Sequence, residues 1–347
     1  MDISIIVSTF NRAKNLKTLL DSLLLQDFRV LSFEVIVSDN GSIDDTKKIC
    51  ERYEIQFENF TYLYDDRPGQ LVGWHRGLEV SRGEVCCFID DDICPEPSWL
   101  TGIEDAYSDP EVGLATGPIA LAYEKTPPDW INVMLIGEPG AQTLPVFGLL
   151  DFGKSIKRIP GNFVWGTNFT VRKSCLYDVG GFHPCAMPAH LLKFHGDGEV
   201  YVGQSIEKMG KKVIYHPQIS VNHNISASRL SLKSIKSKFI TTGFTRSFSL
   251  LRELTVPYDL PSTEEFYDMA MRYFNAPREA SKELIEIIRD GLEQGVTQHL
   301  NCFIEDANFR EWVLRDNYLD LEKCYVHPEL LDKPISKNPL DWRSGDY

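Results

Sequence analysis

Three consecutive carboxylates, Asp90-Asp91-Asp92, are the side chains in this sequence best placed to do chemistry. They follow the apolar run Val85 to Ile89, which is too short for a helix and reads as a buried strand. Pro95 and Pro97 are expected to keep that strand from continuing. Ligands of open α/β sheets sit outside the carboxyl ends of strands, so the triplet falls where a substrate would bind. Side chains alternate along a strand, which puts Asp90 and Asp92 on one side and Asp91 on the other. Two carboxylates on one side suit a hard divalent ion, Mg2+ or Mn2+, of the kind usually shared with substrate phosphates.

The elements that must hold this triplet alternate in type. Ser4 to Phe10, Phe33 to Ser38 and Phe60 to Tyr64 read as strands; Asn15 to Gln26, Asp44 to Tyr53 and Leu71 to Ser81 read as helices. Four strands separated by helices within about 90 residues call for a mostly parallel sheet with right-handed crossovers. The second strand ends in Asp39-Asn40-Gly41-Ser42. Further on, Ser98 to Tyr107, Ser174 to Val179 and Glu199 to Met209 read as helices, the last closed by Gly210. Val112 to Ile119, Trp165 to Val171, Lys212 to Tyr215 and Ile219 to His223 read as strands. Tyr123 to Pro160, rich in Gly and Pro, is expected to be a long irregular binding loop or lid carrying Lys154, Lys157 and Arg158. Beyond Pro257 the pattern is helical, with Leu284, Ile288 and Leu292 on one face.

Composition limits the function classes. A net charge of -14 argues against sequence-independent binding of nucleic acid, so anionic ligands must be met locally. Eight cysteines without C-x-x-C spacing give no structural zinc pattern. No secretory leader and no apolar run near 20 residues is present, which points to a cytoplasmic protein. The first strand runs into Ser8-Thr9-Phe10-Asn11-Arg12 rather than a G-x-G-x-x-G or P-loop sequence, which disfavours dehydrogenases and P-loop enzymes. From Ser226 to Arg252, Arg229, Lys233, Lys236, Lys238, Arg246 and Arg252 occur without an acid. That stretch reads as a solvated basic helix face or a peripheral contact with phosphate or a membrane surface through 229–252.

Taken in order, these motifs resemble glycosyltransferase family 2, inverting enzymes of the GT-A fold that use nucleotide sugars. The likeness rests on Ser8 to Arg12, Val37 to Asp44, the Asp triplet with Pro95, Pro97, Trp99 and Leu100, and Gly166-Thr167-Asn168 leading to Gly180-Gly181-Phe182. It covers residues 1–225, a nucleotide-binding half over 1–100 and an acceptor half over 101–225; residues 226–347 form a helical C-terminal extension outside it. The fold implied is α/β, a mixed and mostly parallel sheet flanked by helices.

The resemblance implies roles. Asp39 would accept a hydrogen bond from the base, in a pocket shared with Thr9, Asn11, Arg12 and Asn40, and Arg67 and Gly69 would close over the nucleotide. Asp90 and Asp91 would meet ribose and metal; Asp90, Asp92 and His223 would hold Mn2+ or Mg2+ against the diphosphate. Trp165, Gly166, Thr167 and Asn168 would floor the meeting point of donor sugar and acceptor, with Trp130 a further flat face. Counting back from Gly210 puts Glu199 in the place of the catalytic base, with Asp197 as the alternative. His75 stands where relatives often carry Asn. The substrates implied are a nucleoside-diphosphate sugar, UDP-linked by preference, and a carbohydrate or lipid-linked acceptor. A nucleotidyltransferase would need a glycine-rich basic loop after the first strand, and Ser8 to Arg12 is not one. A non-catalytic carbohydrate-binding protein on this fold would be expected to have lost carboxylates that are all present.

Overall fold

The computed structural model describes residues 2–27, 32–138, 140–254, 261–272 and 280–331. The first half alternates as the hydrophobic pattern requires: β1 (Ile3–Thr9), α1 (Ala13–Leu24), β2 (Phe33–Asp39), α2 (Thr46–Glu54), β3 (Phe60–Tyr64), α3 (Gln70–Val80) and β4 (Val85–Asp90). Helix α1 buries Leu16, Leu19, Leu20 and Leu23, the stripe its leucine spacing predicts. Strand β1 is buried along its whole length, because it pairs in parallel with β2 on one side and β4 on the other. The register aligns Thr9 with Asp39 and Ser8 with Asp90, so the carboxyl ends of three strands finish level.

Beyond β4 the chain departs from the expected pattern. The strand does not simply end at the prolines. After a two-residue turn it resumes as β5 (Ile93–Pro95), which leads into α4 (Trp99–Tyr107). The single strand expected over 112–119 is two, β6 (Val112–Thr116) and β7 (Ile119–Tyr123), in different sheets. The expected irregular loop over 123–160 instead contains β8 (Ile136–Glu138), β9 (Ala141–Leu144), β10 (Leu149–Asp151) and β11 (Lys157–Arg158). Then come β12 (Phe169–Arg172), α5 (Lys173–Asp178), α6 (Gly198–Lys208), β13 (Lys212–Tyr215) and β14 (Val221–Ile225). Residues Gly166–Asn168 form a 3-10 turn rather than the start of a strand.

Two sheets result. The larger has the order β11-β13-β6-β12-β4-β1-β2-β3, parallel through its centre with β12 and β11 antiparallel to their neighbours. The smaller, β5-β14-β7-β10-β9-β8, stands beside the carboxyl end of β4. It carries its own apolar cluster around Ile131, Leu144, Phe147 and Ile225, into which Trp130 packs as a core residue.

Helices α7 (Leu232–Glu253), α8 (Thr263–Met271), α9 (Lys282–Glu305) and α10 (Ala307–Val313) follow. Leu284, Ile288 and Leu292 are buried, as their spacing predicts, whereas Pro257 and the end of the expected extension, 332–347, lie outside the described residues. Helices α7 and α9 cross closely because the contact is made by glycine: a methyl on Gly243 would sit 2.4 Å from the Leu292 carbonyl oxygen, and one on Gly295 2.1 Å from that of Ile240. Val296, Leu300, Phe309 and Trp312 belong to the same apolar core as β1 and β4.

The basic residues of 229–252 do not share one environment. Arg246 and Arg252 donate to the carbonyls of Ala270 and of Val313 and Arg315, and Lys236 lies 3.8 Å from Asp290. Arg229 and Lys238 line a cavity, whereas Lys233 is exposed on the outer part of the helix's first turn. Among the described residues no helix is long and apolar enough to cross a membrane.

Candidate active site

Asp90 ends β4, and Asp91 and Asp92 lie in the turn that follows. Strand alternation therefore does not govern the triplet, and the expected pairing of Asp90 with Asp92 gives way to a different one. The Arg12 guanidinium bridges Asp91 Oδ1 and Asp92 Oδ2, both at 2.8 Å. Thr9 donates to the other Asp91 oxygen at 2.7 Å, and Gln70 donates to Asp90 at 2.5 Å. Burial works to raise the Asp92 pKa, but the cations around it, Arg12 foremost, together outweigh burial and hold the carboxyl well below its ordinary value.

His223, on β14, joins this group from the smaller sheet. Its Nδ1 pairs with the Phe147 carbonyl at 2.8 Å and so carries the proton. That leaves Nε2 as an acceptor, 3.1 Å from Arg229 and 3.6 Å from Asp92 Oδ1. Asp92 Oδ1 is buried and has no hydrogen-bond partner, a costly state that a bound cation would relieve. Among the described residues no three His, Cys, Asp or Glu side chains converge to hold an ion alone. An unpaired carboxylate oxygen beside a ring nitrogen fits an ion that takes its remaining ligands from substrate phosphates.

The second acidic pair lies at the start of α6, and its members differ. Asp197 is fully engaged: His183 Nδ1 stands 2.5 Å from one oxygen and Ser249 donates to the other at 2.7 Å. Burial opposes its ionisation, but His183, Ser249 and the Arg252 charge together outweigh burial and the pKa falls below the ordinary value. Asp197 makes no side-chain cap to α6. Glu199 has one backbone donor, Gly166 N–H at 3.1 Å, and burial raises its pKa. A carboxylate raised by desolvation and open to a cavity is suited to accept a proton.

A cavity of about 390 Å³ brings these groups together. Arg12, Asp90, Asp91, Asp92 and His223 form one wall; Trp165, Gly166, Thr167, Asp197 and Glu199 form the floor. Thr9, Asn11, Asp39, Asn40, Arg67, Gly69 and Asn168 do not line it. Asn168 is not part of the floor: its amide is fully buried between the Trp99 indole N–H and the Ile219 carbonyl. Asp39 accepts from Ser42 N–H and Tyr62 OH, each at 2.8 Å. Asn11, with φ 53°, ties the first turn to Ile43, and Asn40 accepts from Ser8. Arg67 pairs with Asp65 and Glu322. Gly69 opens α3 at φ 97°. Lys154, Lys157 and Arg158 also stand apart from the cavity, but Pro145 to Gly148 from the same segment border it.

Sequence reading missed Gln70, and it named Pro145 to Gly148 only within the wider binding loop over 123–160 and Arg229 and Lys238 only within the basic stretch. Arg229 and Lys238 carried a signal, an acid-free run just after His223, that pointed to a surface instead. His75 is a scaffold residue: Nδ1 pairs with the Tyr318 carbonyl and Nε2 accepts from Phe182 N–H.

A central parallel sheet continued by antiparallel strands, with acids beyond the end of β4 and a second small sheet beside them, is the GT-A architecture. The profile of glycosyl transferase family 2 matches residues 4–180, just over half of the chain, and the chain belongs to that family. Glycosyltransferase AglE of Haloferax volcanii is 28% identical over 191 residues, 55% of this chain and 57% of that protein, so the chain spans little more than half of that relative. The glucosyl-dolichyl phosphate glucuronosyltransferase of the same organism is 22% identical over 71% of this chain and 76% of its own length. Among solved structures, the mannosyltransferase PcManGT of Pyrobaculum calidifontis, in complex with GDP-Man and Mn2+, is similar over 95% of this chain and 87% of that one, with a TM-score of 0.53 and 17% identity.

Proposed function

We propose that the chain is an inverting glycosyltransferase that moves a sugar from a nucleoside diphosphate to an acceptor hydroxyl, with Glu199 as the base. The observation that carries this reading is the position of Glu199: it faces the same cavity as Asp90 to Asp92, holds a single hydrogen bond, and has its pKa raised by burial. Glu199 takes the proton of the acceptor hydroxyl as its oxygen attacks the anomeric carbon. The bond from that carbon to the phosphate oxygen breaks on the opposite side, and its electron pair leaves with the diphosphate. Asp92 and His223 would hold Mn2+ or Mg2+, which when bound neutralises charge on the departing diphosphate. Asp39 would read the base from the end of β2, and Trp165 would face a sugar ring. Support for the substrate class comes from family membership and from relatives named for nucleotide-sugar and dolichyl phosphate chemistry. The acceptor is a carbohydrate or a lipid-linked carbohydrate.

The test is a thermal-shift panel of UDP, GDP and dTDP sugars with and without Mn2+. One nucleotide class should raise the melting temperature, and the matching donor should give a product of inverted anomeric configuration by NMR. No shift with any of them would sink the reading.

A further inference from the structure

The cavity's remaining wall is α7, outside the segment that matches the family profile. Ser234, Ser237, Lys238, Thr241 and Thr245 face the cavity from it, with Arg229 just before its start. The acids opposite are largely committed: Arg12 is bound to both Asp91 and Asp92, and Asp197 to His183 and Ser249. The cations on the α7 side are not. Arg229 donates to the neutral His223 ring and stays 3.9 Å from Asp92, beyond hydrogen-bond reach. The Lys238 ammonium has no hydrogen bond or ion pair with any described residue, although the charges of Arg229, Glu199 and Asp90 act on it. It lines the cavity and is exposed to it. Two cations lining one cavity repel each other, and an anion bound there relieves that.

We propose that Lys238 and Arg229 form a phosphate-binding subsite that takes the diphosphate of the donor, so that α7 completes the donor site. The inference rests on the function proposed above. Two adjacent phosphoryl groups match two adjacent cations, one a guanidinium fork and the other a compact point charge. Arg229 lies at Asp92 and His223, where the diphosphate would meet an ion. Lys238 lines the same cavity as Glu199, beside which the bond to the anomeric carbon would break and negative charge gather on the leaving phosphate. The subsite also makes part of diphosphate binding independent of any metal.

Calorimetry with the tightest-binding of UDP, GDP and dTDP tests this, in EDTA and in Mn2+, on the full chain and on Lys238→Met and Lys238→Arg. Lys238 holds no other side chain, so its replacement leaves nothing unpaired. Circular dichroism verifies the fold. Wild type should bind the diphosphate in EDTA as well as in Mn2+. Lys238→Met should lose about tenfold or more in both, the worth of one charge-assisted hydrogen bond, and Lys238→Arg should recover most of it. Binding of the corresponding nucleoside, which lacks phosphate, should not change. Equal diphosphate affinity in wild type and Lys238→Met overturns the subsite. A loss confined to the acceptor KM, with diphosphate binding intact, also overturns it, because the anion would then belong to the acceptor. A wild type that binds no nucleoside diphosphate under either condition refutes the parent function instead.

Discussion

The strand-end wall of the cavity and the α7 wall carry opposite charges and opposite degrees of commitment. On the first, each of Asp90, Asp91 and Asp92 is met by a neighbouring side chain, and the guanidinium of Arg12 fixes two of them at once. On the second, Lys238 stands without a described partner, and Arg229 meets His223, the face of Phe147 and, at 3.9 Å, Asp92. Glu199, on the floor between them, is held by one backbone N–H. The difference shows how a site divides its labour: one wall is rigid before ligand arrives, and the other keeps its hydrogen-bonding capacity for the ligand.

The sharpest test of this contrast is at the floor. Glu199→Gln keeps the bond from Gly166 and removes the proton acceptor, so turnover should fall about 100-fold or more while donor affinity holds. The acidic limb of the pH profile should vanish with it. A variant that loses donor affinity and turnover together would make Glu199 a binding residue. On the rigid wall, Asp92→Ala frees one arm of Arg12 and removes the proposed ion ligand. Nucleoside-diphosphate affinity measured in Mn2+ should drop roughly ten- to hundredfold, and wild type and variant should converge in EDTA. If they stay apart by the same factor without metal, Asp92 acts through Arg12 alone.

Asp197→Asn should do less, because an amide oxygen can still accept from His183. A stability loss of about 1 kcal/mol in urea titration is expected, with turnover reduced only a few-fold. The sign of its pH dependence is fixed. A carboxyl with a lowered folded pKa contributes stability above its unfolded value, near 3.9, that disappears as pH falls through the folded value. This acid-limb contribution should be missing in the Asn variant.

The last test concerns three histidines whose burial is felt only in acid. Burial depresses His75 to about 4, and His195 and His299 to about 3. Above the unfolded value of about 6.5 they cost nothing. Below it the unfolded chain binds protons that the folded chain refuses, so stability declines as pH falls toward 4, by up to about 1.4 kcal/mol per pH unit for each. Melting temperatures between pH 7.5 and 4.5 measure this, and a flat profile would place these rings in contact with water.

Much of the rigid wall was legible in the sequence. Strands β1 to β4 and helices α1 to α4 follow their apolar spacing, and the Asp triplet falls at a strand end because an apolar pentapeptide precedes it. The pairing within the triplet was not legible: alternation holds only inside a strand, and Asp91 and Asp92 lie one step past it. The stretch 123–160 hid a sheet because strands of two to four residues between glycines are too short to show a period. The α7 wall was legible only in part, for another reason. A run of basic residues reports charge but not direction, and the glycine contact of α7 with α9 decides which side turns inward. Asn168 sat within a site-like motif, yet its amide is spent on Trp99 and Ile219, partners 69 and 51 residues away that no local pattern reveals.

The ring of His75 joins α3 to the carbonyl of Tyr318, 243 residues later in the chain, and the Tyr325 hydroxyl reaches back to Pro68 over 257. Contacts across such distances close the largest loops in the chain, and loop closure is slow to be rewarded during folding. The parallel strands can pair well before α7 and the segment around Tyr318 have docked. The α7 side of the cavity is thus finished last, and in a refolding experiment the proposed nucleotide binding should return in a later phase than the bulk of the circular dichroism signal.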